Sequence, residues 1–244
     1  QAQQQREHLL AELARSNTAL DQFAYVASHD LKAPLRGIAS LSHFIEDDLG
    51  EAVTDDARHK FTLMRGRVQR LEDLINGILG YATAGRSQAR PEPVDTGKLL
   101  VDVIGLLAPP EHIALTVADP MPTLEAERVL LQQVFMNLLG NAVKHTRQPG
   151  AAVRVAAADE GDAVHFTVAD NGPGIAPQYH ERIWGIFQKL ETRDHVEGTG
   201  IGLSVVKKIV ESRGGRAWVE SEEGRGATFH VLWPRRPARE GDGA

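Results

Sequence analysis

An apolar repeat of seven residues runs through the first 45 residues and restricts this part of the chain to one long helix that packs against other helices. With Leu13 at position d, nine of the eleven a and d positions are apolar. These positions are Leu10, Leu13, Asn17, Leu20, Ala24, Ala27, Leu31, Pro34, Ile38, Leu41 and Ile45. Phe23, Leu35 and Phe44, at neighbouring e and g positions, widen the stripe to the breadth that a helix bundle needs.

A second heptad repeat follows an acidic segment that contains a glycine. The repeat consists of Phe61, Met64, Val68, Leu71, Ile75, Ile78 and Ala82. Residues 47–56, between the two repeats, predict a turn, so the two helices are expected to run antiparallel as a hairpin. Because two amphipathic helices cannot enclose a core alone, the pattern favours a symmetric dimer in which two hairpins form a four-helix bundle.

The organisation changes beyond residue 85, which indicates a second domain. The segment 86–93 is polar and contains two prolines, so it predicts a linker. We therefore expect a multidomain chain, with an all-α hairpin domain of residues 1–85 and an α/β sandwich domain of residues 94–235. The polar residues 236–244 are expected to form a disordered tail.

The apolar period after the linker is typical of strands mixed with helices. Alternation of apolar and other residues predicts strands at 153–157, 164–168 and 229–233. Longer helical patterns predict helices at 95–107, 125–146 and 203–213. Helices packed against a mixed sheet make a layered α/β sandwich.

Composition excludes several classes of function. The chain has 33 acidic and 27 basic residues and a net charge of -6, which argues against nucleic-acid binding. The absence of cysteine excludes disulfides and thiolate metal sites, and it fits a cytoplasmic location. No apolar run has the length of a membrane span. Since Gln1 begins a pattern typical of the middle of a helix, we expect the chain to be the C-terminal part of a longer protein.

His29 and Asp30 form the first candidate catalytic pair. His29 occupies position f of the first repeat, which faces solvent, and this argues against a packed core histidine. A neutral imidazole attacks well when one nitrogen is free, and a neighbouring carboxylate can take the other ring proton. Pro34 removes the amide that would bond the carbonyl of Asp30, so we expect a kinked or loosened helix there. His29 is therefore the predicted nucleophile.

Three later segments predict a nucleotide pocket. Asn137 and Asn141 share one helix face, where an amide oxygen together with phosphate oxygens suffices for Mg²⁺, and Lys144 can meet phosphate. Asp170 follows an apolar strand and can accept a hydrogen bond from an exocyclic amine. The segment GTGIGL at 198–203 opens a helix whose amides suit phosphate, although it is not a dinucleotide fingerprint. The intervening residues 185–198 predict a mobile lid.

These segments resemble the conserved boxes of the sensor histidine kinases of two-component systems, and the FAYVASHDLKAPL segment is most similar to phytochrome-like members. The segments are HDLKAPL, NLLGNAVKHT, DNGPGI, GIFQKL, GTGIGL and GRGATF. The resemblance implies a transmitter module, with a dimerising phospho-acceptor domain and an ATP-binding domain of the gyrase, chaperone and histidine kinase type. It implies that His29 accepts the phosphoryl group and that Asp30 is the adjacent acid or base.

The resemblance also implies the residues that bind ATP and Mg²⁺. They are Asn137, Asn141, Lys144, His145, Asp170, Gly172, Gly174, Ile175, Phe187, Gly198, Thr199, Gly200, Gly202, Leu203 and Thr228. Asn141 is the implied Mg²⁺ ligand, with Asn137 toward the metal. In gyrase-like and chaperone ATPases a glutamate activates water at the position of Asn137. Asparagine cannot act as that base, so hydrolysis is disfavoured and the phosphoryl group remains available for His29.

The function predicted first is ATP-dependent autophosphorylation of His29 in a homodimer, followed by transfer to a response-regulator receiver domain. A second hypothesis is a module that acts mainly as a response-regulator phosphatase, but Ala33 stands where phosphatase-competent members carry Thr or Asn. A third is a catalytically silent ATP-binding scaffold, which the intact Asn141, Asp170 and glycines disfavour. Zinc binding is disfavoured because Trp184 occupies the place of a second zinc histidine after His180.

Overall fold

The computed structural model describes residues 2–85, 89–146, 148–190 and 198–235, and the chain divides into two compact units. The first unit is built on the residues up to Thr83, and the second begins at Ala84. Among the described residues no helix combines the length and the apolar character that crossing a membrane requires. The predicted combination of a helical hairpin and an α/β domain is confirmed.

The first unit is a hairpin of two helices. Helix α1 spans Ala2–Leu49 and helix α2 spans Asp55–Thr83, with a short 3-10 turn at Gly50–Ala52 between them. The Oγ1 atom of Thr54 accepts a hydrogen bond from the N–H of Ala57, which satisfies one amide of the first turn of α2. The predicted turn between the two repeats is therefore present, although α1 extends into its first residues.

A three-membered ion cluster holds the two helices of the hairpin together. The carboxylate of Glu46 on α1 lies 3.3 Å from Arg58 and 2.7 Å from Arg65, both on α2. Glu46 and Arg65 are largely sheltered from solvent, which strengthens their attraction relative to an exposed pair. Because the two arginines lie two turns apart on α2, this contact sets the register of the hairpin near its closed end.

The apolar seam of α1 remains uncovered within the chain. Ile38, Leu41 and Ile45 expose between 44% and 59% of their surface, whereas Ser42 at position e is buried. The heptad positions of α2 are only partly buried: Val68 and Ile75 are buried, while Leu71 and Ile78 are exposed. The helices therefore meet beside the predicted seam of α1, and the seam itself faces outward. The side chains of the a and d positions before Leu31 lie outside the described residues.

The second unit is a layered α/β domain. Its helices are α3 (Thr96–Leu107), α4 (Arg128–His145) and α5 (Gly202–Ser212). Its strands are β1 (Glu92–Asp95), β2 (Ala114–Val117), β3 (Thr123–Ala126), β4 (Ala152–Asp159), β5 (Ala163–Asp170), β6 (Arg216–Ser221) and β7 (Ala227–Pro234). The main sheet has the order β2-β4-β5-β7-β6, in which only β2 and β4 run parallel, and β1 pairs with β3 in a separate antiparallel ribbon.

One face of the main sheet is apolar and packs against the helices. Val164, Phe166 and Val168 on β5 are buried, and the ring of Phe166 meets Phe135 of α4 edge to face at 5.3 Å between centroids. The intervening residues of β5 consequently point to the second face of the sheet. This division of the sheet determines which residues can reach the candidate site.

The predicted bounds of the linker and of the helix from residue 125 differ from the structure, because the short strands β1 and β3 were not predicted. The helix predicted from residue 125 begins at Arg128, because Glu125 and Ala126 pair with β1 instead. Strand β1 also takes Glu92 and Pro93 from the predicted linker, and residues 86–88 of that segment lie outside the described residues. The predicted disordered tail, 236–244, lies outside them as well.

Candidate functional site

The predicted phospho-acceptor lies on the long first helix. The backbone of His29 is helical, its side chain lies outside the described residues, and Asp30 is exposed. The helical assignment of α1 continues through Pro34, so the expected loosening does not end the helix there. The helix therefore exposes the carboxylate of the residue that directly follows the predicted nucleophile in the sequence.

Helix α4 carries the asparagine face in the second unit. Asn137 and Asn141 are both half-buried, one turn apart, and the Nδ2 atom of Asn137 donates to the carbonyl of Gln133 over 2.8 Å. A Cβ on Gly202, the first residue of α5, would lie 2.8 Å from Oδ1 of Asn137. Only glycine leaves this approach free, so the start of α5 lies directly against the asparagine face. Further along α4, Lys144 is half-buried and His145 is exposed.

Asp170 stands at the end of β5 with its carboxylate half-buried. Its Oδ1 atom accepts a hydrogen bond from the N–H of Gly172 over 2.8 Å. Burial raises the pKa of the Asp170 carboxyl above its usual value of 3.8, and hydrogen bonds from the backbone of Gly172 and Ala227 oppose that rise. A carboxylate with this placement can accept a further hydrogen bond from a ligand, which would compensate the cost of its burial.

Two glycine loops interlock beside Asp170. A Cβ on Gly174 would overlap the carbonyl oxygen of Glu222, and one on Gly226 would overlap the carbonyl oxygen of Asp170. Both glycines also have positive φ, of 71° and 84°. The N–H of Gly224 completes the contact by donating to the carbonyl of Pro173 over 2.6 Å. Because each loop occupies the space that a side chain on the other would need, the two segments position one another.

Ser221 is a site residue that the sequence did not identify. Its hydroxyl accepts a hydrogen bond from the N–H of Ile175 over 2.8 Å and donates to the carbonyl of Gly226 over 2.6 Å. It therefore joins the two glycine loops at a second point. The residues it joins are 46 and 5 positions away in the sequence, so no short motif could reveal the contact.

Asn171 is a second residue that the sequence did not identify. Its Oδ1 atom accepts from the N–H of Ala152 over 2.8 Å, and its Nδ2 atom donates to the carbonyl of Gly150 over 2.9 Å. Gln148 hydrogen-bonds to Asn171 from the same segment. The side chain of Asn171 thus fastens the connection between α4 and β4 to the strand end that carries Asp170.

A buried ion pair fixes the two helices that flank the candidate pocket. Arg213, just after α5, lies 2.8 Å from Glu127, just before α4, and both side chains are largely enclosed. Breaking such a pair leaves one charge buried without compensation, which typically costs about 3–5 kcal/mol. The pair therefore ties the end of α5 to the beginning of the helix that bears the asparagines.

The structure separates Thr228 from Asp170. Asp170 pairs with Ala227 across β5 and β7, whereas Thr228 pairs with Ala169. Since side chains alternate along a strand, Thr228 lies on the same sheet face as His230, opposite the face of Asp170. The described geometry thus places Ala227, rather than Thr228, beside Asp170.

The predicted lid is described only in part. Phe187 is 54% exposed and has a left-handed backbone with φ of 61°, which is uncommon for a residue with a side chain. A Cβ on Gly200 would lie 2.7 Å from the carbonyl oxygen of Gln188, so the backbone at Gly200 packs closely against the segment that follows Phe187. Gly198 also has a positive φ, Thr199 precedes Gly200, and Leu203 lies in the first turn of α5. Residues 191–197 of the predicted lid lie outside the described residues.

Two family models match successive parts of the chain. A model described as the His Kinase A (phospho-acceptor) domain matches residues 19–86, and one described as Histidine kinase-, DNA gyrase B-, and HSP90-like ATPase matches residues 126–237. The chain belongs to the sensor histidine kinases. It is a phytochrome-like transmitter module.

Curated relatives agree with this assignment. Cyanobacterial phytochrome A of Nostoc sp. is 39% identical over 93% of the transmitter module and 30% of its own length. Cyanobacterial phytochrome B of the same organism is 35% identical over 90% of the module and 30% of its own length. The module therefore spans about 30% of the length of these relatives.

Solved structures resemble the transmitter module in fold. The full-length histidine kinase ShkA in complex with AMPPNP matches with a TM-score of 0.68 and 32% identity, over 89% of the module and 46% of that chain. The histidine kinase ThkA in complex with the response regulator protein TrrA matches with a TM-score of 0.60 over 87% of the module and 62% of that chain. At 19% identity, the second match shows the fold alone.

Alanine at Gly226 is expected to damage the pocket of the transmitter module more than alanine at Gly224. The two glycines have nearly equal φ values, 84° and 81°, but only Gly226 would place a Cβ against backbone. The left-handed backbone alone costs about 1–2 kcal/mol, and overlap adds about 1–3 kcal/mol. Urea unfolding of the α/β unit and ATP titration calorimetry would measure the difference. Equal losses in stability and affinity for the two variants would contradict the interlocked-loop arrangement.

Proposed function

We propose that this transmitter module autophosphorylates on His29 with ATP and passes the phosphoryl group to an aspartate of a response-regulator receiver domain. The proposal rests on two arrangements in the second unit: the interlocked glycine loops beside the Asp170 carboxylate, and the asparagine face of α4 against the start of α5. The family assignment supports the same activity. We further propose that the module acts in the cytoplasm, downstream of a sensor domain on the same polypeptide.

The proposed adenine contact is Asp170. Its half-buried carboxylate would accept a hydrogen bond from the exocyclic amine, while Gly172, Gly174 and Ile175 line the approach with backbone. Phe187, Gly198, Thr199, Gly200, Gly202 and Leu203 are the proposed contacts on the lid side. His145 is proposed to lie beside the base, whereas the sheet alternation favours Ala227 over Thr228 as the neighbour of Asp170.

Asn137, Asn141 and Lys144 are proposed to face the phosphates. Amide oxygens fit Mg²⁺, which prefers oxygen ligands and retains several waters, so Asn141 with phosphate oxygens forms a suitable ligand set. Among the described residues no group of three or more histidine, aspartate or glutamate side chains could hold a metal ion, which favours a metal that arrives with the nucleotide. When bound, Mg²⁺ would neutralise developing charge on the phosphates.

The chemical step follows from the pair on α1. The free ring nitrogen of neutral His29 attacks the γ-phosphorus, a P–N bond forms, the bond from that phosphorus to the β,γ-bridging oxygen breaks, and ADP leaves. Asp30 takes the other ring proton and so prevents a build-up of positive charge on the ring. In the transfer to the receiver, an aspartate oxygen attacks phosphorus and the P–N bond breaks. The ring regains its proton, from Asp30, as it leaves as neutral His29.

The direct test is incubation of the unmodified protein with γ-labelled ATP and Mg²⁺. We expect incorporated label that is lost in acid and retained in alkali, as a phosphohistidine requires. Label should also leave the protein when an isolated receiver domain is added. Acid-stable label, or absence of label in a protein that binds ATP, would contradict autophosphorylation on histidine.

The substitution Asp170→Asn is expected to weaken ATP binding without destabilising the fold. Loss of a charge-assisted hydrogen bond corresponds to about 1.5–3 kcal/mol, or roughly a 10- to 150-fold loss of affinity, and the preference for ATP over GTP should fall. Because the folded-state pKa of Asp170 is raised, its contribution to stability is present at acid pH and is lost as the pH rises through that value. The uncharged amide therefore removes a penalty at pH 7, and stability should stay equal or increase.

Asp159→Asn provides the matched control for this experiment. The pKa of Asp159 is lowered by the backbone of Gly161 and by Arg235, so its ionised form favours folding at neutral pH, and this contribution is lost only as the pH falls through the lowered value. The control should leave ATP affinity unchanged. Calorimetry and thermal unfolding at pH 7 check both variants, and equal ATP affinity in both would remove Asp170 from the proposed pocket.

Glutamate at Leu41 is expected to dissociate the proposed dimer. Burial of each leucine is worth about 1.5–3 kcal/mol, so two copies correspond to roughly 100-fold or more in the dimer dissociation constant. Leu63→Glu is the control, since Leu63 is comparably exposed on α2 but lies outside the heptad seam. Light scattering at micromolar concentration should find a dimer for the unmodified protein and the control, and a monomer for Leu41→Glu. A monomeric unmodified protein would contradict the four-helix proposal.

A further inference from the structure

Four titratable side chains form a continuous chain across the second face of the main sheet. Oε1 of Glu160 lies 3.0 Å from Nδ1 of His165, and Nε2 of His165 lies 3.0 Å from Nδ1 of His230. Nε2 of His230 is buried without a hydrogen-bond partner among the described residues and faces Oε2 of Glu220 at 3.7 Å. The nucleotide proposal uses none of these four side chains.

When both histidine rings are neutral, they carry too few protons for the three contacts that join these four side chains. The three contacts join a carboxylate to a ring, a ring to a ring, and a ring to a carboxylate, so each is favourable only when a ring N–H lies within it. Two neutral imidazoles carry two N–H groups in total. One contact must then set a bare ring nitrogen against an acceptor, whichever tautomers are chosen. A third proton fills all three contacts.

The surroundings indicate which ring takes the additional charge. Burial lowers the pKa of His230, and the charge of His165 lowers it further, although Glu220 opposes both effects. Trp218 stacks on His230 with 4.8 Å between centroids and an interplanar angle of 4°, and the guanidinium of Arg216 lies 5.2 Å from the Trp218 ring centre. Trp218 also stacks on His165, with 5.1 Å between centroids, so the ring contacts do not distinguish the two histidines, and burial is what favours a neutral His230.

The remaining neighbours of the two rings leave Glu160 and Glu220 as the compensating charges. Across the strands, His165 pairs with Ala158 and Leu232, and His230 pairs with Thr167 and Trp218, none of which is ionisable near neutral pH. The carboxylate of Asp159, adjacent to Glu160, is already engaged by Arg235 at 2.7 Å. The doubly protonated ring is therefore best placed on His165, within hydrogen-bond distance of Glu160.

We propose that Glu160, His165, His230 and Glu220 form a proton-binding site that takes up its third ring proton as a unit. In the filled site, His165 donates from both nitrogens, to Glu160 and to Nδ1 of His230, while neutral His230 points its Nε2–H at Glu220. This part of the proposal concerns the proton alone and is independent of the proposed kinase function.

The position of the proton site connects it to the candidate pocket. Glu220 directly precedes Ser221, whose hydroxyl joins Ile175 to Gly226. With only two ring protons, the two 3.0 Å contacts keep theirs and the longer, 3.7 Å contact has none. The bare Nε2 of His230 then opposes the carboxylate of Glu220, and the position of Glu220 is less well defined. The filled site therefore holds the Ser221 segment in place and favours ATP binding, a coupling that rests on the proposed function.

The proton site is tested by ¹⁵N NMR of the histidine rings in the full chain between about pH 5 and 8, the range in which histidine titrates. We expect His165 to become doubly protonated as the pH falls, while His230 keeps a single proton and shifts it to Nε2 in the same step. His165→Asn and His230→Asn assign the signals, and Glu160→Gln should disrupt the joint transition if a histidine variant fails to fold. Independent transitions of the two rings, or double protonation of His230 first, would overturn the proposal.

The coupling is tested by ATP affinity at pH 6 and pH 8 in the unmodified protein and in His165→Asn. The change in pH affects the protonation of ATP and of Asp170 equally in both proteins. The informative quantity is therefore the difference between the two proteins in how much their ATP affinity changes. We expect the unmodified protein to gain about five-fold more affinity on acidification than the variant, with His59→Asn, an exposed change on α2, behaving as unmodified. An equal pH dependence would remove the coupling. Absence of ATP binding at either pH would instead contradict the proposed function, and the NMR result would still decide the proton site.

Discussion

Glutamine at His29 is expected to abolish the incorporation of label from γ-labelled ATP, while ATP binding and dimer formation remain. Glutamine preserves the length and polarity of the side chain but has no nucleophilic ring nitrogen. Since His29 lies on α1 in the first unit, and Asn141 and Asp170 lie in the second, the substitution leaves the principal proposed contacts of ATP unchanged. The loss should therefore appear in the chemical step, measured by label incorporation under saturating ATP.

His43→Gln is the matched control for this experiment. His43 is an exposed histidine on the same helix, two heptads beyond His29, and it neighbours no proposed catalytic residue. The control should incorporate label at the unmodified rate. If His29→Gln still gives acid-labile label, another histidine is the acceptor and the assignment of α1 as the phospho-acceptor helix is wrong.

Asparagine at Asp30 is expected to slow autophosphorylation by about 10²- to 10⁴-fold, which is the usual contribution of a general base. The amide cannot take the proton from the imidazole, although it retains nearly the same size and hydrogen-bonding reach. ATP affinity should remain unchanged, because Asp30 lies outside the proposed pocket. Single-turnover measurements of label incorporation separate the chemical step from binding.

Asp47→Asn, an exposed change near the end of α1, controls for the loss of one negative charge from the helical unit. It should leave the rate of autophosphorylation unaltered. A rate for Asp30→Asn that matches this control would show that another group, or solvent, accepts the imidazole proton.

Periodicity predicted the long helices well but not the short strands. Helices α3, α4 and α5 lie within one to three residues of their predicted starts, since several turns of apolar spacing define a helix from local sequence alone. Strands β1, β2 and β3 have four residues each, too few to establish an alternation. Glu125 and Ala126 look helical in isolation, and they enter a strand because β1 provides their hydrogen-bond partners.

The heptad pattern predicted which surfaces of the hairpin are apolar, but not which of them meet. Helix α1 turns Ser42 inward and leaves Leu41 and Ile45 exposed, so its seam is available for a further helix. An apolar repeat indicates that one surface of a helix is buried. It does not indicate which other helix covers that surface, because this depends on how all the helices pack. This outcome makes the exposed seam the principal structural support for the proposed dimer.

In the candidate site, too, some residues could be predicted from the local sequence, whereas others depend on contacts between distant segments. Asn141, Asp170 and Gly174 could be predicted as site residues because their residue types stand within short motifs. Ser221 and Asn171 were not, since each acts only through contacts that the fold creates between distant segments. Thr228 was predicted near the base from its motif alone. The register of β7 places it on the opposite sheet face from Asp170, and its contact with the base stays a prediction.

The interlocked glycine loops also govern when the pocket can form during synthesis of the protein. Asp170 and Gly174 leave the ribosome well before Gly226, yet each loop takes its shape from the backbone of the other. A nascent chain that has been made only as far as α5 contains every predicted nucleotide-binding segment except the last, and still lacks the surface that shapes the base-contacting loop. The proposed pocket can therefore form only after β6 and the start of β7 have been translated, when nearly the whole domain has been made.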